Sequence, residues 1–378
     1  MRGKKTLAAG LVLCVLAGSA VLLAAGDPDQ TLVPLSYLTG TYIPDVAAQG
    51  NQAVDEATQT IYQSVLNDMQ ERQGDYLSRA SSGSGLLDQR LKYGDAITLP
   101  TGAGGLLLAG SGVISYSGGA VVDVTAGNTV ASGSALTANH RYVAAENTRA
   151  VISVTSDTAV VSLEGGATVS PSAATDYNAL AKALSDMGLF RGTGTGYGSG
   201  YDLERTPTRI EGLVMFLRLL GEEQAALAYT GSHPFADVPD WADRYVAYAY
   251  DKGYTKGVGS STSGQAYFGT ESQMGAGEYL TFLLRALGYR DSGSSPDFTW
   301  QTALDKARET GVLTAGEYTL LQTKPFLRAQ VAYVSYYALD AAMADGSGTL
   351  LAHLASAGAL DATVVQTVRS QVTVTRIA

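Results

Sequence analysis

TRIEGLVMFLRLL, at residues 208–220, is the stretch that decides the fold. Thr208 can cap a helix, Glu211 suits its positively polarised first turn, and the apolar run behind them predicts a helix buried in a core. Two later stretches have the same pattern, in which a short helix start is followed by an apolar run. They are GAGEYLTFLLRAL at 275–287 and LRAQVAYVSYYAL at 327–339. The chain therefore repeats one unit three times.

A shorter helical segment precedes each of these stretches and ends on a glycine followed by an apolar residue. The paired segments define three units at about 176–221, 233–289 and 296–343. One unit is too small to bury its own apolar face, so the three are expected to pack together. Residues 171–345 are thus predicted to be an all-α bundle of three helix-loop-helix repeats.

The second unit opens with Phe235-Ala236-Asp237-Val238 and Trp241, and the first carries Thr208-Arg209-Ile210-Glu211. Across residues 176–343 the chain resembles the S-layer homology (SLH) family, whose repeat has a Phe-x-Asp-Val start, a Trp in its first helix and a Thr-Arg-Ala-Glu motif opening its second. The resemblance implies a pseudo-threefold bundle that binds an anionic, often pyruvylated, secondary cell-wall polysaccharide without a covalent bond. It also implies a secreted protein held at the cell wall or cell surface.

The family motif also indicates which residues would bind the carbohydrate. They are Thr208, Arg209, Glu211, Trp241, Arg328 and Gln330. Arginine offers a carboxylate a planar pair of donors, a helix N-terminus adds free N–H groups, and a tryptophan face suits a sugar ring. The second unit has Ala276 where the arginine is expected, and the third departs from the motif at Leu327 and Gln330. We therefore expect one site at Arg209, a second at Arg328 and none at Ala276.

Several residues also have purely structural interpretations. Trp241 and Trp300 are favoured as core anchors between units, and Asp237 can cap the helix that begins near residue 240. The glycine-rich run at 192–198 lacks the preceding strand that a phosphate-binding loop needs. We interpret it as a flexible connection between helices.

The N-terminal part of the chain has a different residue pattern from the repeat units. Residues 1–25 indicate a signal peptide or membrane anchor, because a basic start precedes an apolar run over 7–25. Residues 26–90 are predicted to be extended and then to form an amphipathic helix, at about 51–73. The apolar face of that helix comprises Val54, Ala57, Ile61, Val65 and Met69.

Short alternating runs rich in valine, isoleucine and threonine predict a small antiparallel β domain over 91–170. The sequence predicts no overall structure for the tail at 346–378. It predicts only short helices beginning at Thr349 and at Asp361 and a last strand at 372–374. The expected fold class is therefore multidomain α+β, with a β domain followed by the helical repeats.

Composition narrows the function. A net charge of -10 argues against nucleic acid as a partner. The single cysteine, Cys14, lies in the N-terminal apolar run and the three histidines are far apart, so no disulfide, metal or cofactor is predicted. No catalytic motif is present, and a non-catalytic wall anchor is expected. Two alternatives stay open, a surface-tethered enzyme acting on glycans and a self-associating array protein. Membrane attachment is expected only through residues 7–25, if they are not cleaved.

Overall fold

The computed structural model describes residues 35–80 and 85–378, and the chain divides into two compact units, Met1–Ala80 and Ser81–Ala378. The prediction of a signal peptide or anchor at residues 1–25 lies outside the described residues. Within them, no helix is both long enough and apolar enough to cross a membrane.

The first unit is helical wherever it is described. Its elements are Leu35–Tyr37, the π-helical turn Leu38–Tyr42 and α1 (Ile43–Ala80). The expectation of an extended stretch before residue 51 is wrong from Leu35 onward, because residues 35–50 are helical; Pro44 lies just after the π-helical turn. The helix continues to Ala80, beyond the predicted end at about residue 73. Val54, Ile61 and the other members of the predicted apolar face are exposed.

The second unit begins with strands. They are β1 (Leu87–Lys92), β2 (Ala96–Leu99), β3 (Gly104–Ala109), β4 (Gly112–Ser117), β5 (Val121–Asp123), β6 (Asn128–Val130), β7 (Ser134–Ala135), β8 (Arg141–Ala144), β9 (Arg149–Val154), β10 (Thr158–Glu164), β11 (Thr168–Ser170), and a later hairpin of β12 (Gly259–Ser260) and β13 (Ala266–Tyr267).

The antiparallel β region predicted from the alternating runs is confirmed over residues 87–170. One sheet has the strand order β1-β10-β3-β8-β5-β6, and the other has β11-β2-β9-β4-β7. Side chains of both sheets, among them Ile97, Leu107 and Ile152, form one core. The region starts at Leu87 rather than at residue 91, because β1 pairs with β10 along its whole length.

A helical region follows. Its helices are α2 (Tyr177–Asp186), α3 (Arg209–Leu219), α4 (Glu223–Leu227), α5 (Asp243–Asp251), α6 (Ala276–Ala286), α7 (Ala303–Glu309), α8 (Ala315–Thr323), α9 (Arg328–Ala338), α10 (Leu350–Ser356) and α11 (Ala362–Gln371). Three-residue 3-10 turns at Asp240–Ala242 and Trp300–Thr302 lead into α5 and α7.

Helices α3, α6 and α9 correspond to the three apolar stretches, and each is 11 residues long. The rings of Phe216 in α3 and Phe282 in α6 lie 5.5 Å apart between centroids. The hydroxyl groups of Tyr279 in α6 and Ser335 in α9 are 2.6 Å apart. All three helices contribute to a single apolar core, which is where their apolar faces find partners.

The C-terminal tail is part of this helical region. Its two predicted helices are present as α10 and α11, whereas the predicted strand at 372–374 is wrong. Instead, the Arg376 guanidinium donates to the buried carboxylate of Glu317 at 2.7 and 2.8 Å, and the backbone N–H of Ile377 donates to the Tyr333 hydroxyl at 2.8 Å. The tail thus supplies the cation that a buried glutamate requires.

The β region is bonded directly to the helical region. Arg90 of β1 donates to Glu204 at 2.7 Å, to Asn178 at 2.8 Å and to the carbonyl of Gly198 at 2.6 Å. Gly198 has a φ of 54°, and an added Cβ would lie 2.7 Å from a methyl of Val160 in β10. The glycine-rich loop interpreted as a flexible connection is therefore packed against the β region.

Candidate functional site

An open cleft of about 450 Å³ lies beside the start of α3. Its walls come from α3, from the loop after α5, and from α6 and the segment that follows it. The lining residues are Arg209, Lys256, Gly257, Val258, Glu278, Thr281, Arg285, Asp291 and Trp300. We call this the Arg209 cleft.

Arg209 forms the buried wall of the cleft, with only 6% of its surface exposed. Its Nη1 atom donates to Glu278 at 2.7 Å, and its guanidinium lies 5.3 Å from the Phe268 ring and 5.2 Å from the Phe282 ring. The Nε atom is buried and has no hydrogen-bond partner. Burial lowers the pKa of Arg209, and the Glu278 charge offsets this in part. Arg209 is therefore held in place while part of its donor capacity remains unused.

Asp237 fixes the loop that packs on Arg209. Its carboxylate accepts the backbone N–H groups of Phe268, Gly269 and Thr270 at 2.6, 2.7 and 3.0 Å. Burial acts to raise the pKa of Asp237, but these N–H bonds outweigh it and the pKa is lowered. The expectation that Asp237 caps the helix near residue 240 is wrong, because both of its oxygens bond to this loop.

The backbone donors at the start of α3 are already bonded. The N–H of Arg209 donates to the carbonyl of Ser272 at 2.8 Å, and that of Ile210 donates to Thr270 at 3.4 Å. The N–H of Glu211 donates to the Thr208 hydroxyl at 3.4 Å. The expectation that this helix N-terminus offers free N–H groups to an anion is therefore wrong, and side chains must supply the donors.

The opposite wall carries two further cations. Lys256 donates to Asp291 at 2.5 Å and to the Ser292 hydroxyl at 2.8 Å. Arg285 pairs with the same Asp291 carboxylate and donates to the carbonyl of Tyr254 at 2.6 Å. Burial acts to raise the pKa of Asp291, but Arg285 and Lys256 outweigh it, so the pKa is lowered. With Arg209 and Glu278 included, three positive side chains face two negative ones, which leaves a net charge of +1.

Trp300 completes the cleft from the 3-10 turn before α7. It is 64% exposed, and Trp241, in the 3-10 turn before α5, is 60% exposed. The interpretation of both tryptophans as core anchors is therefore wrong. Trp300 lines the Arg209 cleft, whereas Trp241 is not among the lining residues.

Thr208 and Glu211 have structural partners at the start of α3. Glu211 accepts the N–H of Thr208 at 2.8 Å, while the hydroxyl of Thr208 accepts from Glu211, so the two cap the helix reciprocally. Glu211 also accepts a bidentate pair from Arg205 at 2.7 and 2.6 Å. Neither Thr208 nor Glu211 lines the Arg209 cleft.

Arg328 and Gln330 lie deep in the protein, with 2% and 1% of their surfaces exposed. Arg328 donates to the carbonyls of Tyr201 and Arg191 at 3.3 Å each, and burial lowers its pKa to about 10. Gln330 donates to Asp157 of the β region at 2.8 Å. The partners of these two side chains are thus internal, and the site proposed below does not use them.

Sequence reasoning placed Arg209 in a site but missed Lys256, Arg285, Asp291 and Trp300. Trp300 could have been found, because it holds the same place in the third unit as Trp241 holds in the second. Lys256 and Asp291 come from loops without a motif, so no signal in the sequence pointed to them.

Comparison with protein-family models and with curated proteins gave no match. The resemblance to the S-layer homology family therefore rests on the motif residues themselves. Among residues 35–80 and 85–378, no group of three or more histidine, cysteine, aspartate or glutamate side chains is arranged to hold a metal ion.

Proposed function

We propose that this protein anchors itself to a bacterial cell wall by binding an anionic wall polysaccharide in the Arg209 cleft. The observation that carries the proposal is the meeting of Arg209, Lys256 and the exposed Trp300 in one open cleft. Arg209 belongs to the Thr-Arg-x-Glu motif that matches the S-layer homology repeat, so the resemblance and the geometry point to the same residue.

The three helix starts support an arrangement of three related units. In each of α3, α6 and α9 the third residue of the helix accepts the N–H of its own cap: Glu211 from Thr208, Glu278 from Gly275 and Gln330 from Leu327. Loops also link two pairs of units, since the 270–272 loop of the second unit accepts from the start of α3 and the 203–205 loop of the first unit accepts from the start of α9. A pseudo-threefold bundle accounts for both regularities.

The chemistry of the cleft suits an acidic sugar. A carboxylate would bind between Arg209 and Lys256, because the lining residues of the cleft carry more positive than negative charge. A pyranose ring would pack on the exposed face of Trp300. Glu278 and Asp291 would accept hydrogen bonds from sugar hydroxyl groups. The proposed ligand is therefore a polysaccharide that bears a carboxylate on a sugar ring.

Isothermal titration of the full chain with purified wall polysaccharide, native and stripped of its anionic groups, tests this proposal. We expect Trp300→Ala to weaken binding of the native polymer by about tenfold, since exposed aromatic residues of this kind carry much of the energy of a binding site. Trp241→Ala is the matched control, because Trp241 is equally exposed and lies outside the cleft. Equal losses in the two variants, or equal binding of the stripped polymer, would contradict the proposal.

The glycan-acting enzyme and the structural array remain predictions from the sequence. A surface anchor uses the helical region alone, and the β region is then the part that the anchor displays.

A further inference from the structure

A second cleft, of about 270 Å³, lies among the end of α3, the end of α6, and helix α10 with the turn that follows it. It shares no lining residue with the Arg209 cleft. Its walls are mainly leucine and alanine side chains, among them Leu220, Leu350 and Leu354. Because α10 belongs to the tail, the cleft is formed in part by residues outside the repeat units.

Glu222 supplies a half-satisfied carboxylate to this cleft. Its Oε1 atom accepts a hydrogen bond from the Tyr254 hydroxyl at 3.1 Å, while its Oε2 atom is buried and has no partner. Burial raises the pKa of Glu222, and the hydrogen bond from Tyr254 together with the charges of Lys252 and His353 offsets this only in part. The nearby Lys252 directs its ammonium group at the Tyr248 ring, 5.5 Å from the centroid. An unpaired buried carboxylate oxygen is costly, so a donor at this position would be strongly favoured.

The residues that line the cleft indicate which kind of hydrogen-bond donor or cation could bind to Glu222. A metal ion needs several anionic or imidazole ligands, and among the described residues no group of three or more such side chains could hold one. A primary ammonium group brings its own N–H donors and its own positive charge. Leucine and alanine walls beside the carboxylate suit an alkyl chain attached to that ammonium group.

We propose that the Glu222 cleft binds a primary alkylamine, with the ammonium group donating to Glu222 and the alkyl chain packed against Leu350 and Leu354. This inference does not depend on the proposed wall binding, because the two clefts have no residue in common. A lysine side chain of a partner molecule and a free alkylamine present the same chemistry.

Methyl NMR titration of the full chain with n-butylammonium chloride, at constant ionic strength, tests the proposal. We expect saturable shifts of the Leu350 and Leu354 methyl signals. The neutral isostere n-butanol should bind about tenfold more weakly, because it lacks the charge-assisted hydrogen bond. Equal binding of n-butanol, or no saturable shift with n-butylammonium, would overturn the proposal.

Two variants test separately whether binding needs the charge of Glu222 and whether it needs the open volume of the cleft. Glu222→Gln should reduce n-butylammonium affinity about tenfold, and Ala225→Leu should block the cleft without touching the carboxylate. Glu271→Gln, which removes an exposed acid outside the cleft, is the control and should bind as the unaltered chain does. A peptide bearing lysine side chains, titrated in the same way, then distinguishes a macromolecular amine from a free one. Unchanged affinity in both Glu222→Gln and Ala225→Leu would contradict the assignment.

Discussion

The starts of α6 and α9 place similar side chains in opposite surroundings. In both helices the third residue accepts the N–H of its own cap. Glu278 of α6 then pairs with Arg209 at the edge of an open cleft, whereas Gln330 of α9 donates to Asp157 of the β region and is buried. One helix start lies at an open cleft, and the other is bonded to the protein's own β region.

The difference in charge between the two residues follows from their partners. The carboxylate of Asp157 already lies at the contact with Gln330, and Lys324 pairs with this carboxylate at 2.6 Å. A glutamate at position 330 would place a second carboxylate beside the first, and burial makes such a pair costly. The amide at 330 can instead donate to Asp157 and accept from its own cap. The difference at this position from the motif of the S-layer homology repeat therefore has a structural reason.

Gln330→Glu is the change with the largest expected effect on this comparison. It introduces an unpaired negative charge at a buried position, and we expect the free energy of unfolding to fall by about 3 kcal/mol. Urea denaturation at neutral pH measures the loss. Adding Asp157→Asn to the same chain should recover most of it, because the amide can donate to the new carboxylate. A loss that Asp157→Asn leaves unchanged would show that the two side chains are not coupled.

Asp237→Asn tests the cleft side of the comparison. The substitution removes the charge that holds three N–H groups of the 268–270 loop, and we expect a loss of about 2 kcal/mol in the free energy of unfolding. Because the folded pKa lies below the ordinary value of 3.8, the carboxylate stabilises the fold fully above about pH 4 and progressively less as the pH falls below it.

Denaturation between pH 2 and 7 should therefore show a smaller loss of stability on acidification in Asp237→Asn than in the unaltered chain. The same variant should bind wall polysaccharide less tightly, since the loop packs on Arg209 through Phe268. If the variant loses stability but keeps its affinity for the polysaccharide, the 268–270 loop does not contribute to binding in the cleft.

The caps of the two cleft-forming helices give the smallest expected effects. Thr208→Ala removes a side-chain cap from α3 and should cost about 1 kcal/mol of unfolding free energy. Gly275 holds the same position in α6 and has ordinary cap dihedral angles, and an added Cβ would lie in ordinary van der Waals contact, 3.8 Å from Oε2 of Glu278. Gly275→Thr should therefore stabilise the protein by about 0.5 kcal/mol. Thermal unfolding monitored by circular dichroism detects both changes, and a destabilising Gly275→Thr would contradict the equivalence of the two caps.

The fold was predictable where apolar residues recur at a regular spacing and the face that they form is buried. Alternating runs located the β region, and the apolar stretches located α3, α6 and α9, because each of these faces is buried in a core. The same reasoning failed for α1, whose apolar face is exposed in its own unit. A period in the sequence shows that a face exists, and it does not show what covers that face.

The candidate site was less predictable because it depends on which segments meet. Arg209 and Arg328 occupy the same motif position, yet one lines an open cleft and the other bonds to the carbonyls of Tyr201 and Arg191. Trp300 was expected to be a core anchor between units, whereas it lies in the 3-10 turn before α7 and is exposed. Such outcomes are set by neighbouring loops, and those loops carry no motif.

The bonds of Arg90 have a mechanical consequence. The chain enters the second unit at β1, and Arg90 in that strand is tied to Glu204, Asn178 and Gly198 of the helical region. Tension applied through the N-terminal segment would therefore pass from β1 straight into the part that we propose holds the wall. The pairing of β1 with β10 along the whole strand would share that load with the bonds of Arg90.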